Sequence, residues 1–286
     1  MNVQIITDSG CDLPNSLIEK YNIIRVPLTV HLDNEDYLDA VTIDSKQVYD
    51  AMRNGKEPKT SQVSPQTFKE QFEACAKEGK TCIYFALSSE LSGTYQTGKM
   101  MQQEVNEEYP DFDFQIIDTH CASLGFGLVV LRAAQLAHEG ASAADVVEMG
   151  TYHMNHMEHI FTVDDLEYLK RGGRVSKTAA FVGTMLKIKP LLHVEEGKLI
   201  PLEKIRGSKK VIKRMIEVME ERGQDFNNQI VAISHGDDLE RANQLAEQIN
   251  EQFNPKDIVI HPVGSSIGAH SGPGTIALFF LNDSYK

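Results

Sequence analysis

The sequence predicts an α/β protein of two domains, because strand and helix signals alternate along its 286 residues and the alternation changes character near residue 160. Before that point, each short apolar run is followed by a helical pattern, which indicates a Rossmann-like parallel sheet covered on both faces. After it, short strands come in pairs, which indicates a mixed sheet. We therefore expect an N-terminal parallel α/β domain over residues 1–158, a C-terminal mixed α/β domain over residues 159–286, and the ligand between them.

Local signals define the elements of the first part. Pro14 opens a helix near Leu17, while Asp44 and Ser64 precede helical runs whose free backbone N–H groups can donate to their side chains. The predicted strands cover residues 3–6, 81–87 and 114–117, and the further helices cover 44–52, 64–79, 91–105, 124–138 and 143–154.

Paired strands mark the second part. A turn at residues 195–198 joins two of them as a hairpin. The predicted strands cover residues 160–163, 190–194, 199–205, 230–234, 258–262 and 276–281, and the predicted helices cover 208–221 and 239–253.

Composition narrows the function classes. A net charge of −13 argues against nucleic acid as the partner and allows at most transient contact with an anionic membrane, because both would repel the chain. The sequence begins in a strand pattern without a signal peptide, and no stretch approaches the roughly 20 apolar residues that span a bilayer. We therefore expect a cytoplasmic protein.

The four cysteines form no close pair of the kind that binds zinc or exchanges disulfides. We expect Cys11, Cys75, Cys82 and Cys121 to be reduced structural thiols. The sequence leads us to expect no cofactor.

Two segments rich in hydroxyl groups and glycine, residues 88–96 and 268–274, follow apolar runs, and Thr60-Ser61-Gln62 lies in an expected polar loop. Their neutral donors could hold a carboxylate or phosphate without an arginine clamp. The helix N-terminus near Thr94 also favours an anion, although Ser89 or Ser92 could equally cap that helix.

Residues 264–268 match the G-x-S-x-G pattern of serine hydrolases, with Ser266 as the nucleophile. We expect the glycines and Pro273 that follow to prevent the required helix, and only Asp283 lies downstream to serve as the acid. A tight loop between strands is the simpler alternative.

His153, His156 and His159 suggest a metal site, but steps of three residues on a helix separate the outer two by about 120°. We favour a solvated helix end and expect no metal.

The segment 170–190 contains six basic residues and no acidic one. This basic segment could be a solvated surface helix with its flanking loop, or a docking site for a phosphate or an acidic partner. Its members are Lys170, Arg171, Arg174, Lys177, Lys187 and Lys189.

Taken together and in order, five motifs resemble those of the bacterial DegV family over nearly the whole chain. They are Thr7-Asp8-Ser9, Thr60-Ser61-Gln62, the segment 88–96, the segment 166–174 and His270-Ser271-Gly272-Pro273-Gly274. The resemblance implies a two-domain α/β protein that binds one long-chain fatty acid between its domains. Some members carry the lipid for a bacterial fatty acid kinase, whose separate ATP-dependent subunit phosphorylates the carboxyl group; an acyltransferase is a further implied partner.

By position, the resemblance implies that Thr60 and Ser92 bind the carboxylate and that His270 completes the network. The same motifs contribute Ser61, Gly93, Thr94 and Ser271 to the ligand site.

Arg174 and Arg206 would face the kinase subunit or the developing acyl phosphate. The candidates for the tunnel that holds the tail are Phe85, Phe126, Phe161, Phe181, Met185 and Leu186. No residue is expected to be catalytic, because the protein would be a carrier without turnover of its own. Two alternatives stay open, a serine esterase acting through Ser266 and a binder of another small amphiphile.

Overall fold

The computed structural model describes residues 3–175 and 188–283, which form an α/β fold with two main sheets and a smaller third one. The elements of the first part are β1 (Val3–Asp8), α1 (Asn15–Lys20), β2 (Ile24–Val26), β3 (Thr29–Leu32), β4 (Glu35–Leu38), α2 (Ser45–Arg53), β5 (Lys59–Ser61), α3 (Pro65–Lys77), β6 (Thr81–Ala86), α4 (Thr94–Glu108), β7 (Phe114–Asp118), α5 (Ser123–Glu139) and α6 (Ala143–His156).

The second part continues with β8 (Met157–Thr162), α7 (Glu167–Gly172), β9 (Ile188–Glu195), β10 (Lys198–Arg206), α8 (Ser208–Arg222), β11 (Ile230–His235), α9 (Leu239–Phe253), β12 (Asp257–Pro262), α10 (Ser265–Ser271) and β13 (Ile276–Leu281). The division into domains at residue 158 stays a prediction.

The N-terminal sheet has the strand order β2-β1-β6-β7 and is parallel throughout, as the sequence predicts. Helices cover both of its faces. Successive side chains of β6 point to opposite faces, and each meets a different helix. Tyr84 packs against Phe68 and Phe72 of α3, while the ring of Phe85 lies against Gly150 of α6. The prediction of a doubly covered parallel sheet is confirmed.

The C-terminal sheet has the order β10-β9-β8-β13-β11-β12, in which only β11 and β12 run parallel. The predicted mixed sheet is thus confirmed. Helices α8 and α9 pack on it through a core that includes Met215, Leu245 and Phe280. Helix α5 contacts strands of this sheet and also β1 of the other sheet.

Helix α5 is therefore apolar on nearly every side, and two glycines let its neighbours approach. A Cβ atom at Gly125 would overlap His159 and Phe279, and one at Gly127 would overlap the carbonyl oxygen of Cys11. The close approach on both sides joins the two sheets through one continuous core.

The sequence analysis missed the third sheet, which has the order β4-β3-β5. The prediction of a loop at residues 60–62 is wrong, because Thr60 and Ser61 belong to β5 and pair with Val30 and Thr29. These strands have only three or four residues and are mostly polar, so their pattern carries little periodic signal.

The prediction that no helix follows Gly264 is also wrong, since α10 begins at Ser265. Its first backbone N–H groups are held by a carboxylate from far along the chain: Ser265 and Ser266 donate to Asp39 over 3.1 and 3.3 Å. This helix contains Gly268, and a larger residue would not fit there, because the ring and hydroxyl of Tyr49 occupy the space that a side chain would fill. Helix α4 likewise begins at Thr94, three residues later than predicted.

Candidate functional site

An internal cavity lies between the two parts of the chain. Its volume of about 90 Å³ is several times the roughly 10–15 Å³ that one water requires, so it is larger than the voids that close packing leaves. The apolar lining residues are Leu28, Leu87, Leu91, Ala122, Phe161, Leu169, Val194, Leu199, Val263, Ile267, Ala277 and Phe279. The polar ones are Ser92, Ser123, His159, Arg174, Ser234, Ser266, His270, Ser271 and Thr275.

At one end of this cavity, β5 and α10 bring Thr60 and His270 together. Thr60 Oγ1 lies 2.6 Å from His270 Nε2. Burial, with a smaller contribution from the positive charge of Arg174, lowers the pKa of His270 to about 4. The imidazole is therefore neutral near pH 7 and offers hydrogen bonds without a charge.

Arg174 closes the same end. Its Nε donates to the carbonyl oxygen of Leu91 over 3.1 Å, and its Nη1 donates to that of Gly172. Burial lowers the pKa of Arg174 from its usual value. Within residues 3–175 and 188–283, no carboxylate forms an ion pair with this half-buried guanidinium. Its charge is thus available to a ligand or partner.

Leu91 and Ser92 are the residues of the 88–96 segment that line the cavity, and Ser92 is the polar one. The Ser92 Oγ lies 2.8 Å from Thr94 Oγ1 and accepts from the Thr94 backbone N–H over 3.3 Å, so it satisfies the first N–H group of α4, whose N-cap residue is Gly93. Thr94 itself is fully buried. Gly93 is exposed, and a side chain there would overlap Gln62. We call Thr60, Ser92, Arg174 and His270 the mouth cluster.

The other predicted ligand residues are placed differently. Ser61 points away from Thr60, as strand alternation requires, and its Oγ lies 2.6 Å from His31 Nε2. Ser271 lines the cavity beside His270, and its buried Oγ has no hydrogen-bond partner in the described part of the chain. Arg206 is exposed at the end of β10 and does not line the cavity.

An outer groove adjoins the mouth cluster. Arg174 and His270 line both the groove and the cavity, so the two spaces adjoin at these residues. The groove also contains Thr60 and three further basic residues, Lys56, Lys59 and Arg171, with Glu57 as its acidic member. Anionic groups bound in the groove would therefore lie next to the head of any ligand in the cavity.

The rest of the predicted basic segment divides between ion pairs and undescribed positions. Arg171 pairs with Glu57, Lys170 with Glu167 over 3.4 Å, and Lys189 with Asp164 over 2.9 Å. Lys177 and Lys187 lie outside the described residues.

Of the tunnel candidates, Phe161 lines the cavity. Phe85 and Phe126 are fully buried in the core but do not line it. Phe181, Met185 and Leu186 lie outside the described residues.

Among residues 3–175 and 188–283, no activating base bonds to the serine of the hydrolase motif. Ser266 lines the cavity, but its buried Oγ has no hydrogen-bond partner among the described residues. Its backbone also has an ordinary negative φ, whereas a nucleophile elbow holds its serine in a strained turn. The helix that the motif requires is present, but the activating contacts are not.

The three histidines do not converge on one point. His153 lies on α6 and His156 near its end, where Nδ1 is 2.9 Å from Asn282 Oδ1, but His159 lies on β8 and accepts from the Ala122 N–H. The helix ends at His156 and leads into a strand as expected, but the expectation of solvation is wrong, since His153 and His156 are partly buried and His159 is buried. Burial lowers the pKa of both His153 and His159 to about 4. In the described ranges, no group of three potential ligands could hold a metal ion. The four cysteines are free buried thiols, as predicted.

Sequence reasoning missed a second polar group beneath α10, which we call the inner cluster: Ser9, Asp12, Asp39, Ser123 and Ser234. Ser9 Oγ donates to Asp39 over 2.8 Å, Ser123 Oγ donates to Asp12, and Ser234 Oγ lies 2.9 Å from Ser123 Oγ. Burial raises the pKa of Asp12 well above its usual value, and the charge of Asp39 adds to the increase. Its members are up to 225 residues apart in sequence, so no local signal could have revealed it.

Comparisons with known proteins agree with this architecture. A family model described as "Uncharacterised protein, DegV family" matches residues 2–283. A DegV domain-containing protein of Clostridium perfringens is 42% identical over 283 residues, which cover 98% of this chain and 97% of that protein.

Two solved structures illustrate the similarity. A DegV family protein from Thermus thermophilus, described as binding fatty acid, has a TM-score of 0.88 and 30% identity, covering 98% of this chain and 99% of that one. A stearic-acid-binding protein from Eubacterium ventriosum has a TM-score of 0.89 and 26% identity, covering 97% of each chain. Among the described helices, none has the length and apolar character needed to cross a membrane.

Proposed function

The chain belongs to the DegV family, and we propose that it binds one long-chain fatty acid in the cavity, with the carboxylate at the mouth cluster. The observation that carries this proposal is the mainly apolar cavity, which ends at neutral donors and a half-buried arginine without a carboxylate partner in the described chain. A ligand that is anionic at one end and apolar along its length matches both features.

The tail and the carboxylate of such a ligand would make different contributions to binding. Each buried methylene would contribute about 0.8 kcal/mol, so the tail would dominate affinity. When His270 carries its proton on Nε2, that N–H donates to Thr60 Oγ1, and the Thr60 hydroxyl is free to donate to the carboxylate. Ser92 and Ser271 would supply further neutral donors. The carboxylate would then keep an oxygen directed toward the groove.

We further propose that the protein presents this oxygen to a separate ATP-dependent kinase subunit, which would form an acyl phosphate. The basic lining of the outer groove supports this role, because positive charge beside the head group would stabilise a transferring phosphoryl group. Arg174 lies at the boundary and Arg206 lies further out, at the exposed end of β10. The carrier would have no turnover alone, would act in the cytoplasm and would pass its product to an acyltransferase.

Denaturing extraction of the purified protein, followed by mass spectrometry of the released molecules, tests the lipid assignment. We expect one long-chain fatty acid per chain. A different amphiphile, or failure to find a fatty acid together with failure of the delipidated protein to bind added stearic acid, would overturn it.

Variants of two adjacent residues test the position of the head group. Thr60→Val removes the hydroxyl that would reach the carboxylate, and we expect about 10-fold weaker fatty acid binding by fluorescence displacement. The matched control Ser61→Ala removes the hydroxyl of the next residue, which faces His31, and should leave affinity unchanged. Equal effects of the two changes would contradict the assignment.

The presenting role predicts a different pattern. His270→Ala and Arg174→Ala should reduce acyl phosphate formation with the partner kinase while leaving much of the tail-driven binding intact. Equal losses of both activities would contradict this separation. Product release from activated esters by the protein alone, lost in Ser266→Ala, would instead favour an esterase.

A further inference from the structure

Ser266 has a buried hydroxyl, and the unsubstituted acyl chain of a simple fatty acid offers it no hydrogen bond. The residue lies in the first turn of α10, is 2% exposed and lines the cavity. Its backbone N–H donates to Asp39, but its Oγ has no hydrogen-bond partner in the described part of the chain. Several buried side-chain atoms lack a partner among the described residues, but of the residues that carry them only Ser266 and Ser271 line the cavity, where a ligand could supply the hydrogen bond.

Ser266 is placed so that it would contact the acyl chain of the proposed ligand and not its head group. Ser266 and His270 are four residues apart on one helix, so they share a face and lie about 6 Å apart along its axis. His270 lines both the cavity and the groove, whereas Ser266 lines the cavity without reaching the groove. A carboxylate at the mouth cluster would therefore place the acyl chain, not the head group, beside Ser266.

The neighbouring hydroxyls do not compete for this role. Ser123 and Ser234, which line the same cavity, bond to each other, and Ser123 also donates to Asp12. Ser271 has an unpaired Oγ but adjoins His270, where the carboxylate can take its hydrogen bond. Ser266 is left with both a free donor and a free acceptor in a cavity whose lining is mainly apolar.

We propose that Ser266 hydrogen-bonds an oxygen substituent on the acyl chain, so that the site prefers a fatty acid carrying a hydroxyl or oxo group at the matching carbon. This inference rests on the proposed function. A plain chain leaves the Ser266 hydroxyl unsatisfied, and a substituent elsewhere on the chain is itself buried without a partner. Only the matching isomer satisfies both groups.

The test compares stearic acid with a series of positional isomers of hydroxyoctadecanoic acid. Dissociation constants are measured by displacement of a fluorescent fatty acid from the delipidated full-length protein. Because the isomers have nearly the same apolar surface, differences among them report the partner of the hydroxyl. We expect one isomer, or two neighbouring ones, to bind about 10-fold more tightly than the rest.

Ser266→Ala should abolish this preference, bringing the isomers within about 2-fold of one another, while stearic acid binds at least as tightly as to the wild type. Ser265→Ala is the matched control, since Ser265 is equally buried with an unpartnered Oγ but does not line the cavity. It should retain the full preference.

The outcomes separate the two proposals. If stearic acid binds but no isomer is preferred, or if the preference persists in Ser266→Ala, this inference is overturned and the proposed function stands. If neither stearic acid nor any isomer binds the wild type, the proposed function fails and this inference fails with it.

Discussion

The mouth cluster and the inner cluster are both polar groups between the two parts of the chain, but they differ in charge and in spare hydrogen bonds. The mouth cluster is neutral apart from the positive charge of Arg174 and opens toward a basic groove. The inner cluster contains two buried carboxyl groups: Asp39 and the Oδ2 atom of Asp12 accept hydrogen bonds from the protein itself. Buried carboxyl groups would repel an anionic head group and Arg174 would attract it, which is the physical basis for the proposed position of the head group at the mouth cluster.

The largest expected effect comes from breaking the inner cluster. Asp39→Ala would leave the backbone N–H groups of Ser265 and Ser266 and the hydroxyl of Ser9 without their acceptor in a buried site. We expect a loss of about 3 kcal/mol or more in the free energy of unfolding, measured by urea denaturation. The control Asp36→Ala removes an exposed carboxylate and should change it by less than about 1 kcal/mol. Similar losses would show that the inner cluster is not a structural support.

A pair of glycine substitutions compares the rigidity of the two clusters. A Cβ at Gly264 would overlap the buried carboxyl of Asp12, whose other oxygen is held by Ser123, so Gly264→Ala should destabilise the protein by about 1–3 kcal/mol. A Cβ at Gly93 would overlap the exposed side chain of Gln62, which can move away. Gly93→Ala should therefore cost less than about 1 kcal/mol. Thermal unfolding of both variants checks this order, and the reverse order would contradict it.

The mouth cluster should also make stability depend on pH. The pKa of His270 is about 4 in the folded protein and about 6.5 when unfolded, so the unfolded state binds more protons between these values. Its contribution to stability is present above pH 6.5 and is lost as the pH falls toward 4, with a slope of up to about 1.4 kcal/mol per pH unit. His270→Gln cannot titrate and should lose less stability over this window. Urea denaturation at several pH values checks the difference, and parallel curves for both proteins would contradict it.

Much of the fold was predictable from local patterns. Asp44 and Ser64 cap the helices that follow them, and apolar runs identified all but the shortest strands. The third sheet was missed because its strands are short and mostly polar. They pair with each other, and β3 and β5 also contact α10, which lies far along the chain. Helix α10 was missed for a related reason, since Asp39 supplies its cap from 226 residues away.

The residues of the site stay a prediction, and their geometry was not readable from the sequence. Motif resemblance selected Thr60, Ser92, Arg174 and His270, which line the cavity or the adjoining groove. The same reasoning could not separate Thr60 from Ser61, because their opposite directions follow from a strand that was not predicted.

The sequence by itself determined the α/β class, most element boundaries and the family, because periodicity, capping and motif order are properties of residues close together in the chain. Only the tertiary structure decided which polar groups are satisfied. Ser265 and Ser266 are identical neighbours with equally buried hydroxyls, yet only Ser266 faces the cavity. Burial, hydrogen bonding and pKa depend on atoms brought together from distant positions, and those contacts exist only once the chain has folded.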